Sequence, residues 1–346
     1  MFLQINQKKG DPWDVAIIGS GPSGLTAGIY TTRGAASTII IGGTKWGGQL
    51  MLTTEVDNFP TQKGIKGPDL MKKMRDHALS FGGEFVPRDV ESTELSTDGS
   101  VHKIKTHDAQ YLARSVIIAT GAQTRWLGVP GEDKFLGRGV SSCAPCDAPF
   151  FKNKKVIVVG GGDSAMEEAL VLTKYASFVL LVHRRDEFRA SKAMQQKVIS
   201  NDKIAVVWDT EITKMMGEGV INRVNLKTAK TSKHLDDLKE KISKGFAGKV
   251  LDEDGIDWSM PIDGVFVAIG HVPTTSTFKG QIELDKKGYV VKHSKDGFQM
   301  ATSAPGVFVA GDVHDFHYRQ AITASGFGCM AGLEALLYLD KPSPNY

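Results

Sequence analysis

Cys143-Ala144-Pro145-Cys146-Asp147 places two thiols with two residues between them and a carboxylate directly after the second. Thiols at that spacing close a short disulfide, and a thiolate at a helix start is stabilised by the helix dipole. A structural zinc site needs a second ligand pair, yet the only other cysteine is Cys329 and no histidine pair has the required spacing. Two inert core cysteines are a poorer fit, because a carboxylate is a costly neighbour in an apolar interior. The pair reads as a redox couple, with Asp147 as the group that gives or takes its protons. Cys329, in Gly328-Cys329-Met330-Ala331, reads as packing.

Two glycine-rich turns point to bound nucleotides. Gly19-Ser20-Gly21-Pro22-Ser23-Gly24 follows Asp14-Val15-Ala16-Ile17-Ile18, and Gly160-Gly161-Gly162-Asp163-Ser164-Ala165 follows Lys155-Val156-Ile157-Val158-Val159. Each apolar run has the length and β-branched content of a strand buried on both faces, and a segment with helical spacing follows each turn. The glycines let the backbone turn tightly and approach a pyrophosphate, which rests on the positive end of the helix. The acid that usually holds a ribose hydroxyl about 20 residues on is missing after Thr38-Ile39-Ile40-Ile41, where Gly42-Gly43 stand. Ribose recognition in the first unit must differ from the simple pattern. In the second unit, the strand Phe178 to Val182 ends in His183-Arg184-Arg185, with Arg189 one helical turn beyond and no carboxylate at the strand end. Guanidinium groups there pair bidentately with a 2′-phosphate, which selects NADPH over NADH.

These turns require an α/β fold with the second unit inserted in the first. Ser115-Val116-Ile117-Ile118 ends in Ala119-Thr120-Gly121-Ala122, and Gly264-Val265-Phe266-Val267 ends in Ala268-Ile269-Gly270, as strands do at a domain crossing. Val307-Phe308-Val309-Ala310 ends in Gly311-Asp312 and leads to a closing helix near Ala321 to Leu339, a return to the first domain. The expected domains are therefore 1–124 with 261–346, and 125–260. The stretch Thr228 to Trp258 is rich in lysine, aspartate and glutamate and reads as a loop or short exposed helix without chemistry.

The 346 residues exceed the usual size of one compact domain, and 38 glycines predict many close backbone approaches. A net charge of +3 with scattered cations gives no basis for nucleic-acid binding. The polar start, Met1 to Trp13, has no apolar core of signal-peptide length, and every apolar run is broken by glycine or charge short of a bilayer span. Three cysteines fit a reducing compartment, so a cytoplasmic location is expected and any disulfide is expected to be catalytic.

From near Asp14 to near Leu339 the chain resembles the low-molecular-weight thioredoxin reductases. Besides the motifs above, Gly47-Gly48-Gln49-Leu50, Thr54-Glu55-Val56-Asp57-Asn58-Phe59-Pro60 and Tyr318-Arg319-Gln320-Ala321 carry the resemblance. It implies a homodimer of chains with two Rossmann-like three-layer nucleotide-binding domains, FAD in the discontinuous one, and NADPH in the inserted one that carries the cysteine pair. FAD contacts are implied for Gly19, Gly21, Pro22, Ser23, Gly24, Gly48, Gln49, Asn58, Thr120, Gly121, Gly311, Asp312, Arg319, Gln320 and Ala321, with Asp312 on the ribityl chain. NADPH contacts are implied for Gly160, Gly162, Asp163, Ser164, Ala165, His183, Arg184, Arg185 and Arg189. Electrons would run from NADPH through the flavin to Cys146, and the freed Cys143 thiolate would attack a thioredoxin disulfide. The inserted domain would rotate about hinges near Thr120 to Gly128 and Met260 to Gly264.

Two features depart from the family pattern. Ala-Pro separates the cysteines where Ala-Thr or Ala-Val is commoner, and the charged stretch is longer than in the bacterial enzymes. A flavin-dependent dithiol oxidase and a ferredoxin-fed reductase of the same superfamily are the alternatives, and the cations at His183 to Arg189 argue against both. A flavoprotein that only senses redox state, without turnover, would leave the two nucleotide sites and the dithiol without a purpose.

Overall fold

The strand Trp13–Ile18 sends Val15 and Ile17 into one apolar cluster and Ala16 and Ile18 into another, which is why its sequence is apolar at successive positions. The computed structural model to which it belongs describes residues 11–238, 249–250, 256–294 and 297–340. Residues 1–10 of the polar start, and 239–248 and 251–255 of the charged stretch, lie outside the described residues. The chain divides into two units, Met1–Gln123 with Val272–Tyr346, and Thr124–His271.

In the first unit, Glu84–Val86, Thr38–Ile41, Trp13–Ile18, Gln110–Ile118 and Val307–Val309 form parallel ladders in that order. His102–Thr106 and Val90–Glu94 extend the same seven-stranded sheet antiparallel to the first half of Gln110–Ile118. The helix Pro22–Arg33 packs against the closing helix Ala321–Leu339 through small residues: a Cβ on Gly328 would collide with the Ser23 carbonyl. Cys329 of the closing helix is a free thiol whose hydrogen bond with Tyr30 raises the tyrosine pKa. The closing helix also corrects one expectation, since its 19 residues are long and apolar enough to cross a membrane by length and composition. Neither its glycines nor Glu334 breaks the helix. Glu334 is buried and accepts the backbone N–H groups of Gln299 and Met300, each at 2.7 Å.

The second unit repeats the plan. Its parallel five-stranded sheet has the order Ile204–Val207, Phe178–Val182, Lys155–Val159, Gly264–Val267, Val140–Ser141. Lys155–Val159 again serves two cores, Ile157 and Val159 facing one and Val156 and Val158 the other. Because Gly264–Val267 pairs inside this sheet, the return to the first unit comes later than the expected 260/261, at His271/Val272. The segment Met260 to Gly264 is thus not a linker: Met260 ends no domain but pairs, within the strand Asp257–Pro261, with Val224. The chain passes between units in the two strands Ala122–Thr124 and His271–Pro273, which pair with each other.

A four-stranded antiparallel sheet of Thr210–Glu218, Val220–Thr228, Lys249–Val250 and Asp257–Pro261 completes the second unit. The charged stretch was expected as loop or short helix. Residues 235–238 are helical, but both of its described strands belong to this sheet, and Trp258 is fully buried with its indole N–H on Thr228 Oγ1 at 3.1 Å. The abundance of charge masks the two apolar anchors, Trp258 and Met260, that hold the sheet to the core.

Candidate functional site

Cys143 and Cys146 form a disulfide, with Cα atoms 5.3 Å apart, across a helix of only four residues, Ala144–Asp147. Pro145 suits the first turn, where its missing N–H leaves nothing unpaired. Ser141, buried in the strand before it, joins the parts: its hydroxyl accepts the Cys143 N–H at 3.0 Å and bonds the Asp147 carboxyl. Burial pushes the Asp147 pKa up, and the Ser141 hydrogen bond opposes that shift. A carboxyl held above the usual range is suited to hand a proton to a nascent thiolate. The helix dipole contributes less at the cysteines than the sequence suggests. One turn carries little dipole, and its first N–H, on Ala144, is taken by the Glu168 carboxylate at 2.7 Å.

In both nucleotide turns the middle glycine, Gly21 or Gly162, has no atom within 4 Å of the place a Cβ would occupy. Each is the N-cap of the following helix, Pro22–Arg33 or Asp163–Leu172, and neither helix start has a side-chain cap. The first-turn N–H groups of each helix thus have no side-chain cap, beside a glycine that leaves room for a ligand, which fits a pyrophosphate. Gly19 and Gly160 play the opposite part. A Cβ on either would collide with or crowd the carbonyl that ends a neighbouring strand, Ala119 or Ala268, so only glycine lets the turn lie against the sheet.

The basic loop after Phe178–Val182 is tied to the second turn by backbone. Arg189 and Ala190 donate to the Gly161 carbonyl at 2.8 and 3.2 Å, and Ser191 N–H donates to Asp163 Oδ1 at 2.9 Å. Arg184, Arg185 and Arg189 remain exposed, Ser164 is exposed, and Ala165 is buried under the turn. His183 is placed differently from the arginines. It is buried, packs on Phe188 and Trp208, and its Nε2 meets the Glu187 carbonyl at 2.9 Å. Burial holds its pKa down, so the ring is neutral packing beneath Gly161 and adds no charge for a phosphate. A carboxylate does follow the arginines, Asp186, but Lys233 engages it at 3.0 Å.

In the first unit the structure joins residues far apart in sequence. Asn58 Nδ2 donates to Gln320 Oε1 at 3.2 Å, and Gln320 caps the closing helix in a reciprocal pair with Thr323. Gly48 and Gln49 open an exposed 3-10 turn, and a Cβ on Gly48 would lie 3.5 Å from Gly21 Cα. Thr120 donates to the Thr274 carbonyl at 2.6 Å, while Gly121, at φ +69°, borders open space. Gly311 is held close to Ser23. Asp312 is half-buried, and its pKa is pushed up to about 7 by burial first and by the charge of Asp315 second, with Arg319 opposing. An acid in that state gains from a hydroxyl donor, as a polyol chain would bring.

Three residues of this site escaped the sequence reading: Ser141, Glu168 and Asp315. Buried Asp315 accepts the N–H groups of His317, Tyr318 and Arg319 at 3.0, 2.9 and 3.1 Å, and so holds Arg319 at its left-handed φ of 47° ahead of the closing helix. An Asp two to four residues before a run of turn residues is a local signal that could have found it. Glu168 pairs across 24 residues, and no local pattern announces it.

A family model for pyridine nucleotide-disulphide oxidoreductases matches residues 13–328. A thioredoxin reductase of Mycolicibacterium smegmatis is 45% identical over 327 residues, covering 94% of this chain and 96% of the relative. A bifunctional thioredoxin reductase/thioredoxin of Mycobacterium leprae is 43% identical over 328 residues, covering 94% of this chain and 66% of the relative. The solved structure of thioredoxin reductase from Streptococcus pyogenes aligns with a TM-score of 0.82 at 37% identity, covering 95% of this chain and 98% of that one.

Proposed function

Because the chain belongs to the pyridine nucleotide-disulphide oxidoreductase family and is a thioredoxin reductase within it, we propose that its Cys143–Cys146 pair reduces the disulfide of a thioredoxin. It is an NADPH-dependent oxidoreductase, and its cofactors are FAD and NADPH. The observation that carries the reading is the Ser141 hydroxyl, which links the Cys143 backbone to Asp147 beside a formed disulfide.

When bound, the two cofactors supply the electron pair that opens the disulfide. Opening it breaks the S–S bond and leaves two thiolates, one of which takes the proton that Asp147 gives up. The Cys143 thiolate then attacks one sulfur of the thioredoxin disulfide, forming a mixed disulfide and releasing the other thioredoxin sulfur as a thiolate that water protonates. Cys146 returns its proton to Asp147, and its thiolate attacks Cys143, restores the internal disulfide and releases the second thioredoxin sulfur as a thiolate that water protonates. Electrons enter at Cys146, and Cys143 faces the partner.

The helix starts at Gly21 and Gly162 support the assignment of the first unit to FAD and the second to NADPH. So does the basic loop tied to Gly161, because neither a dithiol oxidase nor a ferredoxin-fed reductase has a use for Arg184, Arg185 and Arg189. The paired strands Ala122–Thr124 and His271–Pro273 would be the hinge. A thioredoxin partner is supported by the Mycobacterium leprae relative, whose name joins both activities. The closing helix leaves Ile322, Met330, Leu333 and Leu337 between 39% and 58% exposed on one face, which suits a homodimer. The scarcity of cysteines and the free thiol of Cys329 suit the cytoplasm. Neither a membrane nor a nucleic acid enters this scheme.

Trapping tests the roles of the two sulfurs. With thioredoxin, Cys146→Ser should accumulate a stable mixed disulfide through Cys143, and Cys143→Ser should accumulate none. The reverse pattern would exchange the roles.

A further inference from the structure

The first nucleotide unit lacks the acid that ordinarily meets a ribose hydroxyl at the end of its second strand, and the end of Thr38–Ile41 has no room to supply one. A Cβ on Gly42 would collide with the Phe85 ring and stand 3.1 Å from the Ser20 side chain. Gly43 has φ +82°, and a Cβ on it would stand 3.1 Å from Oδ1 of Asp89. A carboxylate therefore already occupies the space at this strand end, and it comes from the loop after the next strand, Glu84–Val86.

Backbone pairing brings it there. Gly42 N–H donates to the Val86 carbonyl at 2.9 Å and Gly43 N–H to the Arg88 carbonyl at 3.1 Å, which lays Pro87 to Asp89 alongside the loop after the second strand. Thr44 then orients the carboxylate, donating its N–H to Oδ1 at 3.0 Å and its hydroxyl to Oδ2 at 2.6 Å. Those two bonds hold the Asp89 pKa down, so the group is charged at neutral pH. The same loop is anchored to the glycine turn by Ser20, whose hydroxyl donates to the Gly42 carbonyl at 2.7 Å and accepts the Gly47 N–H at 3.0 Å. A carboxylate offers about four lone-pair positions, and Thr44 uses two. Asp89 is exposed and keeps acceptor capacity on the side away from Thr44.

We propose that Asp89 replaces the missing strand-end acid and accepts the vicinal hydroxyls of the adenosine ribose of FAD. The proposal rests on the assignment of FAD to the first unit. It differs from the simple dinucleotide pattern in the origin of the acid, which the third strand's loop provides because glycines close the second.

Full-length protein stripped of flavin tests it by titration with FAD and, separately, with FMN, which has no adenosine. Asp89→Ala and Asp89→Asn should each weaken FAD at least about tenfold, the loss of hydrogen bonds to a charged acceptor, and leave FMN affinity unchanged. Thr44→Val keeps its N–H and should retain FAD affinity within about threefold. An unchanged FAD affinity in Asp89→Ala would overturn the proposal. So would an equal loss in Thr44→Val, which would make Asp89 only a clamp for the loop, and so would an equal loss of FMN. Wild-type protein that takes up neither flavin would instead sink the FAD assignment itself.

Discussion

The backbone N–H of Ala144 donates to Oε2 of Glu168 at 2.7 Å, so the turn between the two redox cysteines begins on a carboxylate. A negative charge there disfavours a thiolate on Cys143. Glu168→Gln keeps an acceptor and removes the charge. It should lower the thiol pKa of the reduced enzyme by about half a unit to one unit, read from the pH profile of alkylation. Glu168→Ala should also cost about 1 to 3 kcal/mol of stability, because it orphans a buried N–H.

Arg184 and Arg185 stand exposed on a loop fastened to the second glycine turn. Replacing both by alanine should raise the Michaelis constant for NADPH by about tenfold or more, as charge-assisted bonds to a phosphate are lost, and hardly change that for NADH. Equal losses for both nucleotides would remove the 2′-phosphate from the assignment.

Gly161 has no room for a side chain, since a Cβ would collide with the His183 ring. Gly161→Ala must displace His183, and with it the strand end that carries the arginines. NADPH affinity should fall several-fold while FAD content stays at the wild-type level, because the altered turn lies wholly in the second unit.

Asp312 makes stability depend on pH with a definite sign. An acid whose pKa is raised by folding, here to about 7, binds its proton more tightly folded than unfolded. Its contribution is complete below its ordinary range near pH 4 and is lost as pH rises to about 7. His102 and His314, held down to about 4 mainly by burial, act oppositely, adding stability as pH rises from about 4 toward 6.5. Comparison with Asp312→Asn separates the two. In flavin-stripped protein, the unfolding free energy of wild type relative to the variant, read from urea titrations, should fall between pH 4 and 7 by up to roughly 1.4 kcal/mol per pH unit.

What the sequence shows directly are features whose physics is local. Val15 to Ile18 and Val156 to Val159 are apolar throughout because both faces are covered, and the glycine turns follow from φ and close approach, so the two α/β units were legible. The cysteine pair was legible for the same reason. Glu168 and Asp89 were not, because their partners, Ala144 and Thr44, lie 24 and 45 residues away and are met only in the folded chain, and Ser141, two residues before Cys143, was not legible because nothing in its residue type sets it apart from other serines. His183 stands in line with two arginines yet turns inward, since a ring fits the space under Gly161 and a guanidinium loses too much hydration there. The return crossing was placed too early because Gly264 to Val267 looks like any strand leaving a domain until its partner, Lys155–Val159, is known.

The central claim is that the Cys143–Cys146 disulfide lies on the path of electrons from NADPH. An anaerobic titration of the flavin-loaded enzyme with NADPH, following flavin absorbance, tests it most directly. The account predicts uptake of about two NADPH per flavin in the wild type and about one in a Cys143→Ser, Cys146→Ser double variant, one electron pair being stored in the dithiol. Complete bleaching at one NADPH per flavin in both proteins would contradict it.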